Sequence, residues 1–154
     1  MKHQHAVHSP YFRLAIELAA DFAVMYLVMF TMIASVDHLL LNLNHLYMTL
    51  MMVTPMMLFM LAGMQKMFPS RRVNTALVMA AAAVFIPSFW AIRSQGGIGD
   101  EQFLRSMIPH HSGAILMCER SAISDSEIRN LCTQIVESQR REIAQMEEIL
   151  KRSY

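Results

Sequence analysis

Between Arg13 and Lys66 this chain carries only three charged residues, Glu17, Asp21 and Asp37. A run that long and that apolar cannot be scattered through a small water-soluble core. It must either collapse into one large apolar interior or lie in lipid. Three stretches, Leu14–Val36, Leu46–Met64 and Asn74–Ile92, are each about the length that crosses a ~30 Å hydrocarbon layer as a helix. They are separated by Asp37–His45, with its Asn and His residues, and by Gln65–Arg72, with its Lys, Pro and Arg pair. The expectation is therefore an all-α protein whose residues 1–95 form a three-helix membrane region, with spans at 14–36, 46–64 and 74–92. The first span is too long for a removable signal and lacks a small-residue cleavage site, so it is expected to stay as an anchor.

Lys and Arg near the span ends set the orientation. Lys2 and Arg13 precede the first span, and Lys66, Arg71 and Arg72 lie between the second and third. The loop between the first two spans has neither, and only Arg93 closely follows the third. This predicts a multi-pass protein with its amino terminus inside and its carboxyl-terminal domain outside. In a bacterium that means the inner membrane, with the domain in the periplasm or at the cell exterior. A formal net charge of +1 gives no reason to expect nucleic acid as a partner.

Residues 100–154 are a different material, and they hold the chemistry. Gly96-Gly-Ile-Gly99 reads as a hinge, Asp100 as an N-cap, and a helix is expected from Glu101 to about Ala122. Pro109 should kink or loosen it near the His pair. Ser124-Asp-Ser-Glu127 has the form of a capping box opening a second helix. Along that helix Ile128, Cys132, Ile135, Gln139, Glu142, Met146 and Ile149 recur at three- and four-residue steps, an inward stripe. Arg129, Glu137, Arg140, Glu147 and Lys151 make up the opposite face. A two-helix hairpin this small buries too little apolar surface to stand alone. Pairing with a second copy would complete a four-helix bundle, so a homodimer or higher homo-oligomer is expected.

The first helix contains Met107-Ile-Pro-His110-His111-Ser-Gly-Ala-Ile-Leu-Met117, and the second contains Gln139-Arg-Arg-Glu142-Ile-Ala-Gln-Met146. Thioether and imidazole together are soft-to-borderline donors and favour copper, Cu(I) above all, over Mg, Ca or Mn. The candidate metal ligands are Met107, His110, His111, Met117, Glu142 and Met146. Adjacent histidines point ~100° apart on a helix, so one of the pair ligates and the other stands behind it or outside. Glu142 either ligates, orients a ligand imidazole, or pairs with Arg105 across the hairpin. Met117 taken alone reads more simply as core filler.

These two motifs resemble the DUF305 family of small, ferritin-like helical domains, over roughly residues 100–150. The resemblance implies a ferritin-like half-bundle and, since some members bind copper outside the cytoplasm, an extracytoplasmic copper site. The Glu-x-x-His motif of di-iron bundles is absent, which counts against ferritin-type oxidation. No nucleophile–base set and no nucleotide-binding loop is visible, so no enzymatic activity is expected.

Cys118 and Cys132 fall on opposite arms of the hairpin. If the turn centres near Ile123 they are offset by about four residues, ~6 Å at 1.5 Å per residue, which is long for a bridge within one hairpin. Small buried hydrophobes are the simplest reading, with an intermolecular bridge or a soft metal ligand as alternatives. Elsewhere, Met48, Met52, Met56, Met60 and Met64 recur every fourth residue, and the Met48–Met52 step is similar to that of three-span copper transporters. Packing is the simpler reading of that series. Ala76 and Ala80–Ala83 permit close helix approach, with Pro87 a further kink. Glu17 and Asp21 either reach the inner surface or face a cation or proton site. His38, His45 and Asp37 could capture a metal ion near the tail, and His3, His5 and His8 form a weak Cu(II) or Ni(II) grip. The composite expectation is a membrane-anchored copper-binding protein for sequestration or hand-over. A transport component using the Met ladder, or a metal-free oligomerising scaffold, are the competing readings.

Overall fold

The computed structural model describes residues 10–153; His3, His5 and His8 lie outside the described residues. Its elements are α1 (Pro10–Val28), a 3-10 turn (Val36–His38), α2 (Leu43–Gly63), α3 (Arg71–Ser94), α4 (Asp100–Arg120) and α5 (Ser126–Ser153). The described residues are all-α. They divide into two compact units, residues 10–26 with 46–96, and residues 27–45 with 97–153.

In the first unit α2 and α3 are long and apolar enough to cross a membrane, with mean hydropathy 1.7 and 2.0. Most of their apolar surface faces outward, with Phe59, Met79 and Trp90 each more than 60% exposed. Leu14, Met57, Leu61, Phe68 and Ala81 form the small core, with Tyr11, Leu18, Met60 and Leu77 packed against it. One polar network pins the α2–α3 connection. The Tyr11 hydroxyl donates to Asn74 Oδ1 (2.9 Å) and accepts the Ser70 N–H (3.0 Å). Ser70 Oγ also caps α3 by accepting the Val73 N–H. At the other end of the pair the Tyr47 hydroxyl donates to the Gly96 carbonyl (2.9 Å). The methionine series does not form one lined face. Met56 is half-buried and Met60 packs on the core, whereas Met48, Met52 and Met64 are exposed. Both helices run unbroken through Pro55 and Pro87.

The expected first span, 14–36, is corrected to a nineteen-residue helix that ends at Val28. It carries Arg13, Glu17 and Asp21, so among the described residues two helices rather than three are apolar and long enough to span. The apolar run continues past Val28 but the helix does not. Thr31 Oγ1 donates back to the Val28 carbonyl (2.8 Å), and Phe30 N–H and Thr31 N–H close a turn on Leu27 and Val28. Residues 27–45 then belong to the second unit, where polar contacts outcompete further helix.

The second unit is the α4–α5 hairpin with residues 27–45 laid on it. Its core is Leu104, Ile108, Ile115, Ile143 and Met146, and Leu40 from the covering segment packs against that cluster. Ser112 is fully buried and organises the contact. Its Oγ accepts the Ala34 N–H (2.7 Å) and lies 2.7 Å from His38 Nδ1. The neighbouring Gly113 passes the Met32 carbonyl so closely that an added Cβ would sit 3.4 Å from it. Gln102 Oε1 accepts the Leu43 N–H (3.0 Å), and Asn42 Oδ1 accepts the His45 N–H (2.9 Å), so the first turn of α2 is capped twice.

Several local expectations shift. Asp100 opens α4 rather than capping it; Gly99 is the cap, and Asp100 and Glu101 place negative charge in the first turn. The helix ends at Arg120, two residues early, and continues through Pro109. Asp125, not Ser124, caps α5, its Oδ1 accepting the N–H groups of Glu127 (2.7 Å) and Ile128 (3.2 Å). Only Ile143 and Met146 on α5 are buried, and Ile128, at the start of the predicted stripe, is 49% exposed.

Cys118 and Cys132 form a disulfide within the hairpin, with Cα atoms 5.3 Å apart. An offset of four residues holds only for a symmetric turn. Ser121 instead leaves α4 in an extended conformation (ψ 137°), and an extended residue advances more than twice as far as a helical one. The chain therefore climbs past the end of α4 before α5 begins, and Cys132 comes level with Cys118. Closing a loop of this size removes unfolded-state freedom worth about 3 kcal/mol.

Ser112→Ala should strip the Ala34 N–H of its acceptor and destabilise the second unit by about 1–3 kcal/mol. Hydrogen exchange on the detergent-purified protein should show faster exchange at Ala34, with amides of the α2–α3 pair unchanged.

Candidate functional site

α4 presents Met107, His111 and Cys118 toward α5, at steps of four and seven residues that return to nearly the same helix face. Ile108 and Ile115, three residues before His111 and four after it, pack with Ile143 and Met146 of α5. The His111 side chain, lying between these two isoleucines in sequence, is 12% exposed. Its Nδ1 lies 3.1 Å from Glu142 Oε2 but out of line for a hydrogen bond, and this buried nitrogen has no hydrogen-bond partner. Glu142 is held from its other oxygen, since Ser138 Oγ–H donates to Oε1 (2.7 Å). The carboxylate thus turns Oε2 toward the imidazole while remaining 46% exposed itself.

The candidate residues separate into two groups. His111 and Glu142 face each other across the hairpin, Met107 is half-buried against the apolar cluster and Met146 lies inside it. His110 and Met117 face outward, Met117 with 56% of its surface exposed. The rings of His110 and His111 lie 6.0 Å apart, tilted by 59°. Glu142 does not pair with Arg105, which instead joins Glu101 one turn earlier on α4 (2.7 Å). Across the hairpin it is Arg140 that reaches α4, with Nη2 2.6 Å from Glu119 Oε1.

Ser112 and the His38–Glu147 pair were not singled out together from the sequence. His38 Nε2 stands 3.9 Å from Glu147 Oε1, with Nδ1 against Ser112. Ser112 could have been found from its register, four residues after Ile108 and three before Ile115, which places its hydroxyl in the core. His45 sits edge-on to Phe30, ring centroids 4.6 Å apart, and does not form a three-residue metal-holding group with Asp37 and His38. Among the described residues no three His, Cys, Asp or Glu side chains converge closely enough to hold a metal ion.

Burial pushes the His111 pKa below its ordinary value of 6.5; Glu142 pulls it back up in part, and His110 adds to the lowering. The imidazole is accordingly neutral at neutral pH, the form that can offer a lone pair to a metal. Because the folded value lies below the unfolded one, the unfolded chain binds the extra proton first as pH falls. The stability linked to neutral His111 is complete above 6.5 and is lost between 6.5 and the lowered folded value. Thermal unfolding of the second unit should therefore soften as pH drops below 6.5, and His111→Phe should flatten that limb.

Residues 89–150 match the family described as a domain of unknown function, DUF305. An uncharacterized protein of Acanthamoeba polyphaga mimivirus is 34% identical over 118 residues, covering 75% of this chain and 76% of that protein. No solved structure matches. The viral relative extends beyond the matched domain into the apolar half, and with the His-His and Gln-x-x-Glu motifs lying inside the matched residues, the chain belongs to the DUF305 family.

Proposed function

We propose that this protein is a membrane-anchored copper-binding protein that sequesters or hands over Cu(I) at the outer face of a membrane. The observation that carries the reading is the buried, unbonded Nδ1 of His111. A buried polar nitrogen without a hydrogen bond is costly, and a metal ion is one partner that would relieve that cost. The donors on the hairpin suit a soft cation: the thioether of Met107 one turn before His111, that of Met146 one turn after Glu142, and the Glu142 carboxylate, fixed by Ser138, as ligand or orienter. His110 and Met117 complete the donor set from the exposed side, where a second copy of the hairpin would bury them and finish a four-helix bundle.

The anchor is the α2–α3 pair, with α1 packed along it from Tyr11 at the basic loop. Their outward apolar side chains are costly in water and favourable in lipid. An antiparallel pair across a bilayer brings residues 43 and 94 to the same side, opposite the loop that carries Lys66, Arg71 and Arg72. Basic residues favour the cytoplasmic side, so the hairpin faces outward, where copper arrives before cytosolic enzymes meet it. An extracytoplasmic setting also suits the Cys118–Cys132 bridge. In a bacterium this is the periplasmic face of the inner membrane.

The test is anaerobic Cu(I) titration of the detergent-purified protein against a chromophoric chelator, wild type beside the His110→Ala, His111→Ala double variant. Tight binding in the wild type should weaken at least tenfold in the variant, on the order of the 10–100-fold that orienting groups alone contribute. Glu142→Gln should fall between the two. Equal binding in all three would remove copper from the hairpin and leave an oligomerising membrane scaffold.

A further inference from the structure

The bridge between Cys118 and Cys132 does not lie in the core of the hairpin. Both residues are half-buried, and they line a cavity of about 410 Å³ together with Glu119, Arg129, Thr133 and Glu137. A disulfide at the wall of a cleft is reachable by an attacking thiolate, whereas one sealed in a core is not. The two helices also do not depend on the bridge for their alignment. Ile108 and Ile115 pack against Ile143 and Met146, and Glu119, next to Cys118, holds Arg140 across the hairpin at 2.6 Å. If the bridge opens, these contacts keep the two cysteines facing each other with Cα atoms near their present 5.3 Å. Two thiols on facing helices at the edge of a cleft can then grip one soft cation between them.

We propose that Cys118 and Cys132 form a second, redox-gated soft-metal site, closed as the disulfide and open to one Cu(I) as the dithiol. The opening step balances with a dithiol reductant as co-reactant. One of its thiolates attacks a cysteine sulfur and breaks the S–S bond, giving a mixed disulfide. Its second thiol then resolves that bond. The protein takes up two electrons and two protons, and the reductant leaves as its own disulfide. Cu(I) next displaces the two thiol protons and is held by two thiolates, with no change in its oxidation state. Arg129 on the same cavity wall favours the thiolate form, and Glu119 opposes it little because Arg140 already neutralises it. The site shares no donor with His111, Met107 or Met146, so it stands or falls apart from the hairpin site proposed above.

The experiment compares oxidised and dithiol-treated full-length protein in detergent, the reductant removed under anaerobic conditions. Alkylation and mass measurement count the free thiols, circular dichroism follows helicity, and Cu(I) titration counts bound equivalents with the thiolate-to-Cu(I) absorbance as signature. The reduced protein should retain its helicity, gain one equivalent of Cu(I) over the oxidised form, and show the thiolate absorbance. Cys118→Ser with Cys132→Ser should lose that increment under both conditions. The His110→Ala, His111→Ala variant should keep it, even if that variant shows that the hairpin's His set binds nothing. Equal stoichiometry in both redox states overturns the proposal. So does a bridge that the dithiol cannot open in the folded protein, a loss of helicity on opening, or an increment that disappears with the histidines.

Discussion

The Ser112 hydroxyl is fully buried and has no water to turn to, so its partners must come from the protein. It finds them in the Ala34 N–H and in His38, each at 2.7 Å. Those two contacts hold residues 27–45 on the hairpin, and much else follows. A segment drawn onto the hairpin cannot continue α1, so that helix stops at Val28 although the chain stays apolar beyond it. The hairpin, too small to bury its own face, obtains part of its cover from within the chain through Leu40. The proposed second copy would then cover the exposed outer residues rather than the whole stripe.

The register of α4 against α5 is fixed separately, by three contacts of different kinds along the hairpin. Nearest the turn is the covalent bridge Cys118–Cys132, next the ion pair Glu119–Arg140, and beyond them the packing of Ile108 and Ile115 on Ile143 and Met146. A slip of one residue would rotate Glu142 by ~100° around α5 and take its Oε2 away from His111. Placement of the carboxylate is thus a consequence of contacts that are not themselves at the site. An exposed ion pair contributes little stability alone; its value here lies in choosing the register.

What could be read in the sequence follows a physical line. The α4–α5 hairpin was legible from the polar Ser124–Glu127 cluster and from the three- and four-residue recurrence between Ile128 and Ile149, although of that stripe only Met146 is buried and Ile143, outside it, joins the core. The two apolar helices α2 and α3 were legible from hydropathy alone. Local sequence failed where tertiary contacts decide. Nothing within residues 29–36 announces a turn; the Ala34 N–H leaves the helix because Ser112, 78 residues away, offers a buried acceptor. The disulfide was misjudged because residue counting cannot see that Ser121 is extended. Glu142 found His111 rather than Arg105 because Arg105 has a nearer carboxylate one turn away on its own helix. Asp125 displaced Ser124 as cap for a smaller reason: the two candidates are adjacent, and the carboxylate accepts two N–H groups at once.

The environment of His111 carries the argument one step further. Protons and soft metal ions compete for the same lone pair, and burial weakens the proton's hold on this imidazole. A metal is affected differently, because thioethers and a neighbouring carboxylate can surround the cation and stand in for its lost water. For the proposed copper site, burial would therefore tilt the competition toward metal, and Glu142 would limit how far the tilt goes by also favouring the protonated ring. The 46% exposure of Glu142 keeps its attraction screened, so burial of the ring outweighs it. A site tuned this way would hold an ion through the burial of its imidazole as much as through the identity of the donors. Admitting water to Nδ1 would hand part of that advantage back to the proton.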